Sequence, residues 1–200
     1  MWWPTVAAQG VCARLRVMCG RTVRMLQAGV VALCLCGGLA GHAAPKDPLL
    51  RLHPGAKDLE GLVVVEGSHQ YGKGEGLTAI YNGGYQRFTK AGVTRASQRY
   101  YSLGGHNLEL VIHEVRDERK ARALFENSCR DGKATVQSVP VGAKTVKVCT
   151  ATQDGSSYGY LLSGRYYVST TMDKPLEKHV RMLLEATAHR ILGVKPKKGK

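Results

Sequence analysis

NLELVIHEVRDERKARALFENSCR, Asn107 to Arg130, is the stretch that decides how this chain folds. Its first half alternates as a strand does, with Leu108, Leu110 and Ile112 on one face and Val111 and Val115 on the other. At Asp117 the period changes from two to about 3.6, and Ala121, Leu124, Phe125, Ser128 and Cys129 recur at helical spacing. Asp117 is placed to cap the free N–H groups of that helix, and Glu118 suits the positive end of its dipole. A strand apolar on both faces belongs inside a sheet, so the helix must return across that sheet to bury its stripe. The segment describes a scaffold and names no chemistry.

Working outward, residues 94–103 form the partner of this strand across Gly104-Gly105, a pair that suits a tight hairpin. Residues 61–67 (GLVVVEG) read as a first strand, and 68–76 (SHQYGKGEG) as a polar, glycine-rich loop without the spacing of a phosphate-binding loop. Residues 77–91 place Leu77, Ile80, Tyr81, Gly84 and Phe88 on one helical stripe, with Gly92 as its C-cap. Downstream, 135–139 and 143–152 read as strands separated by Pro140 and Gly142, and 158–162 with 165–171 as a hairpin across Ser163-Gly164. Asp173 is expected to cap a last helix whose stripe is Leu176, Val180, Leu183, Leu184, Thr187 and Ile191, ended by Gly193. The expected class is α+β: an antiparallel sheet of about six to seven strands with three helices packed on it. It spans 61–193 as one domain, after a proline-bearing linker or N-terminal arm at 44–60 and before a basic tail at 194–200.

Residues 1–43 read as a signal peptide. Arg21 and Arg24 supply positive charge, 25–40 is apolar, and Gly41 and Ala43 put small residues at the −3 and −1 positions of a cleavage site before Ala44. Met18 would open a leader of ordinary shape. The apolar run is shorter than the roughly 18–20 residues of a spanning helix, so a retained membrane anchor is the alternative. Cys34 and Cys36 each follow a leucine, where a lipidation site wants a small residue. The expected location is the periplasm or outside the cell. Without the arginines at 14, 16, 21 and 24 the formal charge falls from +14 to +10, a balance that favours weak attraction to anionic surfaces. The basic residues are dispersed and carry no recognition motif, so nucleic acid is excluded as a partner.

Six cysteines become two in the mature chain, Cys129 and Cys149. An even pair in an exported chain suggests a disulfide, with two buried thiols as the alternative. No CxxC and no metal-spaced Cys/His set is present, so neither a metal nor a cofactor is expected. His113 shares a strand face with Glu109 and is followed by Glu114; a His–carboxylate pair there, His113 with Glu114, is the enzymatic alternative. Nine tyrosines against two phenylalanines favour a contact surface, because tyrosine joins an apolar ring to a polar tip. Asn82, Gly83 and Gly84 interrupt a helical pattern. Either the helix breaks there, or a strand or a ligand comes too close for a side chain, close packing of backbone on backbone being the expected cause. Asn82, Gly83, Gly84, Tyr85 and Gln86 are the candidate binding residues. The expected role is non-catalytic binding of a small ligand, an envelope polymer or a protein partner.

Three stretches, YNGGYQRF (81–88), LELVIHEVRDERKARALF (108–125) and GYLLSGRYYV (159–168), come in an order and spacing that resembles an uncharacterised family of exported bacterial proteins, a domain of unknown function. The resemblance covers roughly residues 62–192. It implies an exported α+β domain and carries no activity with it. The chain departs from the family pattern at Tyr85 and Gln86, where that family tends to have Ala-Glu; any acid–base role of such a glutamate would be absent here.

Overall fold

The structure, a computed structural model, describes residues 46–195, which fall within one compact unit, Ala43–Lys200. The leader assignment at 1–43 and residues 196–200 of the basic tail lie outside the described residues. Eight strands form one antiparallel sheet: β1 (Leu62–Val64), β2 (Gln70–Lys73), β3 (Val93–Leu103), β4 (His106–Val115), β5 (Gln137–Val141), β6 (Lys144–Gln153), β7 (Ser156–Ser163) and β8 (Tyr166–Met172). The helices are α1 (Thr78–Tyr81), α2 (Tyr85–Lys90), α3 (Glu118–Asp131) and α4 (Glu177–Leu192). The strand order is β1-β3-β4-β8-β7-β6-β5, and β2 also pairs with β3. An open α+β sheet with helices on it is what the sequence pattern implies.

The order follows from the opening stretch. β4 is central, between β3 and β8, and its two apolar faces enter two separate cores. Leu108, Leu110 and Ile112 pack with α4, while Val111 and Val115 pack with α3. Asp117 caps α3 by accepting from the Lys120 amide at 2.9 Å. Helix α3 then carries the chain across the sheet to its far edge. Four strands return by two-residue hairpins until β8 lies against β4 from Leu108↔Met172 to Glu114↔Tyr166. A disulfide joins Cys129 of α3 to Cys149 of β6, with 6.1 Å between the Cα atoms. On the other face α4 lies closest to the sheet at Gly159. A Cβ there would stand 2.3 Å from Val180 Cγ1 and 2.8 Å from Leu184 Cδ1, so glycine is what lets the helix seat.

Four expectations are corrected. The stretch at 68–76 is not all loop: Gln70–Lys73 pairs with β3 as an eighth strand, too short and polar to show a period. The helix expected over 77–91 is two short helices, α1 and α2, separated by Asn82, Gly83 and Gly84. Asp173 does not cap the last helix; α4 starts at Glu177 with Leu176 at the N-cap position and no side-chain cap. Pro140 lies within β5 instead of between strands, which an edge strand permits because its missing N–H faces away from the ladder. The segment at 46–60 takes the form of an arm, with Leu49 and Leu52 buried in the α4-side core.

Candidate functional site

His113 and Glu114 do not form a pair. Consecutive strand residues point to opposite faces, and these two obey that rule. Glu114 points to the α4 face, where it meets Arg165 and lies 2.5 Å from Arg95 Nε in an ion pair. His113 is 1% exposed and stacks among rings on the α3 face, with Nδ1 3.0 Å from the Tyr167 carbonyl oxygen. Burial pushes its pKa down to about 4, partly opposed by that hydrogen bond, so the ring is neutral at pH 7. A neutral, enclosed imidazole with no nucleophile in contact is a packing residue, and the His113–Glu114 enzyme fails on geometry.

The glycine break has a different cause from close packing. Asn82, Gly83 and Gly84 all have positive φ, at 40°, 92° and 71°, and a Cβ on either glycine would meet nothing within 4 Å. The backbone turns through the left-handed region, which glycine enters without steric cost. The turn has a packing result. Tyr81 and Phe88, seven residues apart, would be about 10 Å apart along a continuous helix, yet their ring centroids are 3.9 Å apart. Both rings then lie over His113, at 6.1 Å and 5.7 Å. Tyr85 packs into the same core, Gln86 is exposed, and Asn82, Gly83 and Gly84 form the exposed rim. The Tyr81 hydroxyl and His113 Nε2 are buried and have no hydrogen-bond partner among the described residues.

Below this cluster α3 leaves a region of the sheet uncovered. Register places Tyr100, Glu109, Thr171 and Tyr158 in one row across β3, β4, β8 and β7, all on the α3 face. Tyr160 and Ser169 lie in the next row. Tyr100 is 39% exposed; Glu109, Thr171, Tyr158 and Tyr160 are half-buried. Strands run about 4.8 Å apart, so Glu109 sits one strand from Tyr100 and two from Tyr158. Gln98 Nε2 donates to Glu109 Oε1 at 2.7 Å and to the Tyr100 hydroxyl at 3.1 Å. Desolvation raises the pKa of Glu109, with the Gln98 hydrogen bond acting in the other direction. Of the nine tyrosines, Tyr71 lies on β2, and Tyr101 and Tyr166 pack in the α4-side core. The remaining six, on the α3 face, surround this row and the aromatic cluster.

A second polar cluster went unnoticed in the sequence because its members are far apart in the chain. His53 Nε2 is 3.0 Å from Ser97 Oγ, and His53 Nδ1 is 2.9 Å from the Tyr101 hydroxyl. Ser97 donates to Asp47 at 2.6 Å, and His69 lies 2.7 Å from the same carboxylate. The residue types are those of a Ser-His-Asp triad, but the order is wrong: Asp47 accepts from Ser97 directly, and the one His69 nitrogen it meets is the same Nε2 that faces Ser97 at 3.4 Å, so no histidine stands between serine and carboxylate. Ser97 is also fully buried. Burial lowers the His53 pKa to about 3, with the Arg99 charge adding to the effect. The cluster fastens the N-terminal arm to β3.

Among the described residues no group of His, Cys, Asp and Glu could hold a metal ion, and no helix is long and apolar enough to cross a membrane. Two clefts stand out, one far from the tyrosine row and one bordering its end, where Ala151 pairs with Tyr158. One, of about 540 Å³, lies between the arm and the end of α4; the other, of about 570 Å³, lies beside Thr150–Gln153.

No protein-family model and no curated protein matches the chain. Among solved structures, the extracellular domain of PknH from Mycobacterium tuberculosis is similar at 13% identity, over 66% of this chain and 81% of that one, with a TM-score of 0.36. A likeness that loose assigns this chain neither a function nor a location.

Proposed function

We propose that this chain is an exported, non-catalytic binding domain that meets its partner with the uncovered region of the α3 face. The observation that carries the reading is the row Tyr100–Glu109–Thr171–Tyr158, polar-tipped and half-open across the central strands of the sheet. A sheet centre normally lies under a helix or a second sheet. Here amphipathic rings do that work, as they do at protein interfaces. The row is a surface, not an enclosed pocket, which suits a polymer or a protein partner better than an enveloped small molecule. Asn82, Gly83, Gly84 and Gln86, exposed on the aromatic cluster of the same face, and Tyr85, packed into it, remain candidates for the contact. Export rests on the signal-peptide pattern of residues 1–43 and on the resemblance to an exported family of unknown function, and a disulfide at Cys129–Cys149 suits an oxidising compartment.

Two experiments test the two halves of the reading. Denatured, non-reduced mass spectrometry of the protein from its own cells should give the mass of a chain starting near Ala44, less two hydrogens for the disulfide. A full-length mass would contradict export with cleavage. Co-sedimentation with the envelope fraction should fall when Tyr100 and Tyr158 are replaced by alanine, while the folding midpoint stays close to wild type. Unchanged co-sedimentation would contradict the binding face.

A further inference from the structure

Glu109 stands out when the carboxylates withdrawn from solvent are compared. Asp47 is met by His69, Asp58 by Arg190, and Glu114 by Arg95 and Arg165. Asp117 caps α3. Glu109 receives one neutral amide hydrogen bond, from Gln98 to Oε1, and no ion pair among the described residues reaches it. Basic residues outnumber acidic ones 29 to 15, so cations are abundant in this chain, yet among the described residues none forms an ion pair with it.

The surroundings of that carboxylate are aromatic. Tyr100 is its direct cross-strand neighbour, and the charge of Glu109 acts on the hydroxyls of both Tyr100 and Tyr81. The Tyr81 hydroxyl is buried and has no hydrogen-bond partner among the described residues. A single carboxylate beside tyrosine rings is the combination that recognises organic cations, the carboxylate by charge and the rings by their negative faces. An anion would be repelled by the carboxylate, and a neutral group would leave its charge uncompensated.

We infer that Glu109 is the receptor for an ammonium group carried by the partner, held on the row between Tyr100 and Tyr158 with Tyr81 at its upper side. The inference rests on the binding-face reading and names the chemistry that face selects. An ammonium supplies the missing countercharge, and Glu109 Oε2, which bonds to no protein group among the described residues, is free to accept from it. Desolvation has already raised the Glu109 pKa, so a bound cation should lower it again.

The test is an NMR titration of the full chain with n-butylammonium chloride, set against n-butanol at matched ionic strength. The ammonium should shift the backbone amides of 108–110 and 170–172 saturably and lower the titration midpoint of the Glu109 side-chain carboxyl. Butanol should bind more weakly, and Glu109→Gln should weaken ammonium binding by about tenfold, the size of one charge-assisted hydrogen bond. Glu109→Gln keeps the shape and the exchange partner Gln98, and an unchanged amide spectrum away from the row confirms that it folds. If both probes bind the row equally, or Glu109→Gln changes nothing, the cation assignment is wrong and the binding face stands. If neither probe shifts the row, both are wrong.

Discussion

Gly159 is a position where one added methyl group should be costly for its size. It lies on β7 beneath α4, and the Cβ of Gly159→Ala would stand 2.3 Å from Val180 Cγ1, 2.8 Å from Leu184 Cδ1 and 3.3 Å from Thr170 Cγ2. Ordinary carbon contacts are about 3.5–4.0 Å, so the helix must lift by roughly 1 Å or two core side chains must leave their rotamers. Val180 and Leu184 are fully buried in the α4-side core and have no room to turn. Overpacking of this kind costs about 1–3 kcal/mol, which for a domain of this length lowers the Tm by roughly 2–4 °C per kcal/mol. The assay is thermal unfolding by circular dichroism of wild type, Gly159→Ala, Val180→Ala and the double variant. Val180→Ala alone should destabilise by leaving a cavity, but in the Gly159→Ala background it removes the shorter of the two clashes and gives Leu184 room to yield. The double-mutant cycle should therefore show favourable coupling of about 1 kcal/mol or more. A Gly159→Ala protein as stable as wild type, or a cycle with no coupling, would refute the seating of α4 described above.

Replacing Cys129 and Cys149 together by alanine removes a cross-link between residues 20 apart. The loop-entropy account puts the loss near 3 kcal/mol, and chemical denaturation under non-reducing conditions should show it, with wild type in reductant falling to a similar midpoint. His53 and His113 have folded pKa values of about 3 and about 4, below the unfolded value of 6.5. The unfolded chain thus binds more protons between those values. Stability should be level above pH 7 and decline as pH falls from about 6.5 toward 4, by up to about 1.4 kcal/mol per pH unit for each ring. His113→Phe should make that slope shallower; the same slope in the variant would mean that other groups set it. Gly84→Ala should cost about 1 kcal/mol because its φ is 71°, whereas Asn82→Gly should be close to neutral; equal effects from the two would argue against a left-handed turn between α1 and α2.

The fold was legible where the chain's own periodicity decides burial. Leu108, Leu110 and Ile112 against Val111 and Val115 gave the two faces of β4, and the change of period at Asp117 gave α3 and its cap. The glycine pair at Gly104-Gly105 gave the β3–β4 hairpin, and the stripe of α4 was correct at Val180, Leu183, Leu184 and Thr187. What stayed hidden depends on contacts across the chain. Strand β2 is four residues of polar sequence and exists because β3 offers an edge to pair with. The break after Tyr81 could be seen as a glycine anomaly, but only the positive φ values separate a turn from a close approach. For the proposed site, the excess of tyrosine named the residue type that the row contains. Which tyrosines share a face, and that Glu109 and not His113 lies open among them, depends on strand register, which no local pattern records.

The claim that this domain works through the uncovered α3 face is tested most directly by placing a photo-cross-linking phenylalanine derivative at Tyr158 and, separately, at Lys178. Tyr158 lies on the row, while Lys178 is exposed in the first turn of α4. The cross-linkable chains would be expressed in the native host and illuminated in intact cells. The account predicts a discrete adduct from position 158 that Glu109→Gln or Tyr100→Ala diminishes, and none from position 178. An adduct from position 178 alone would contradict it.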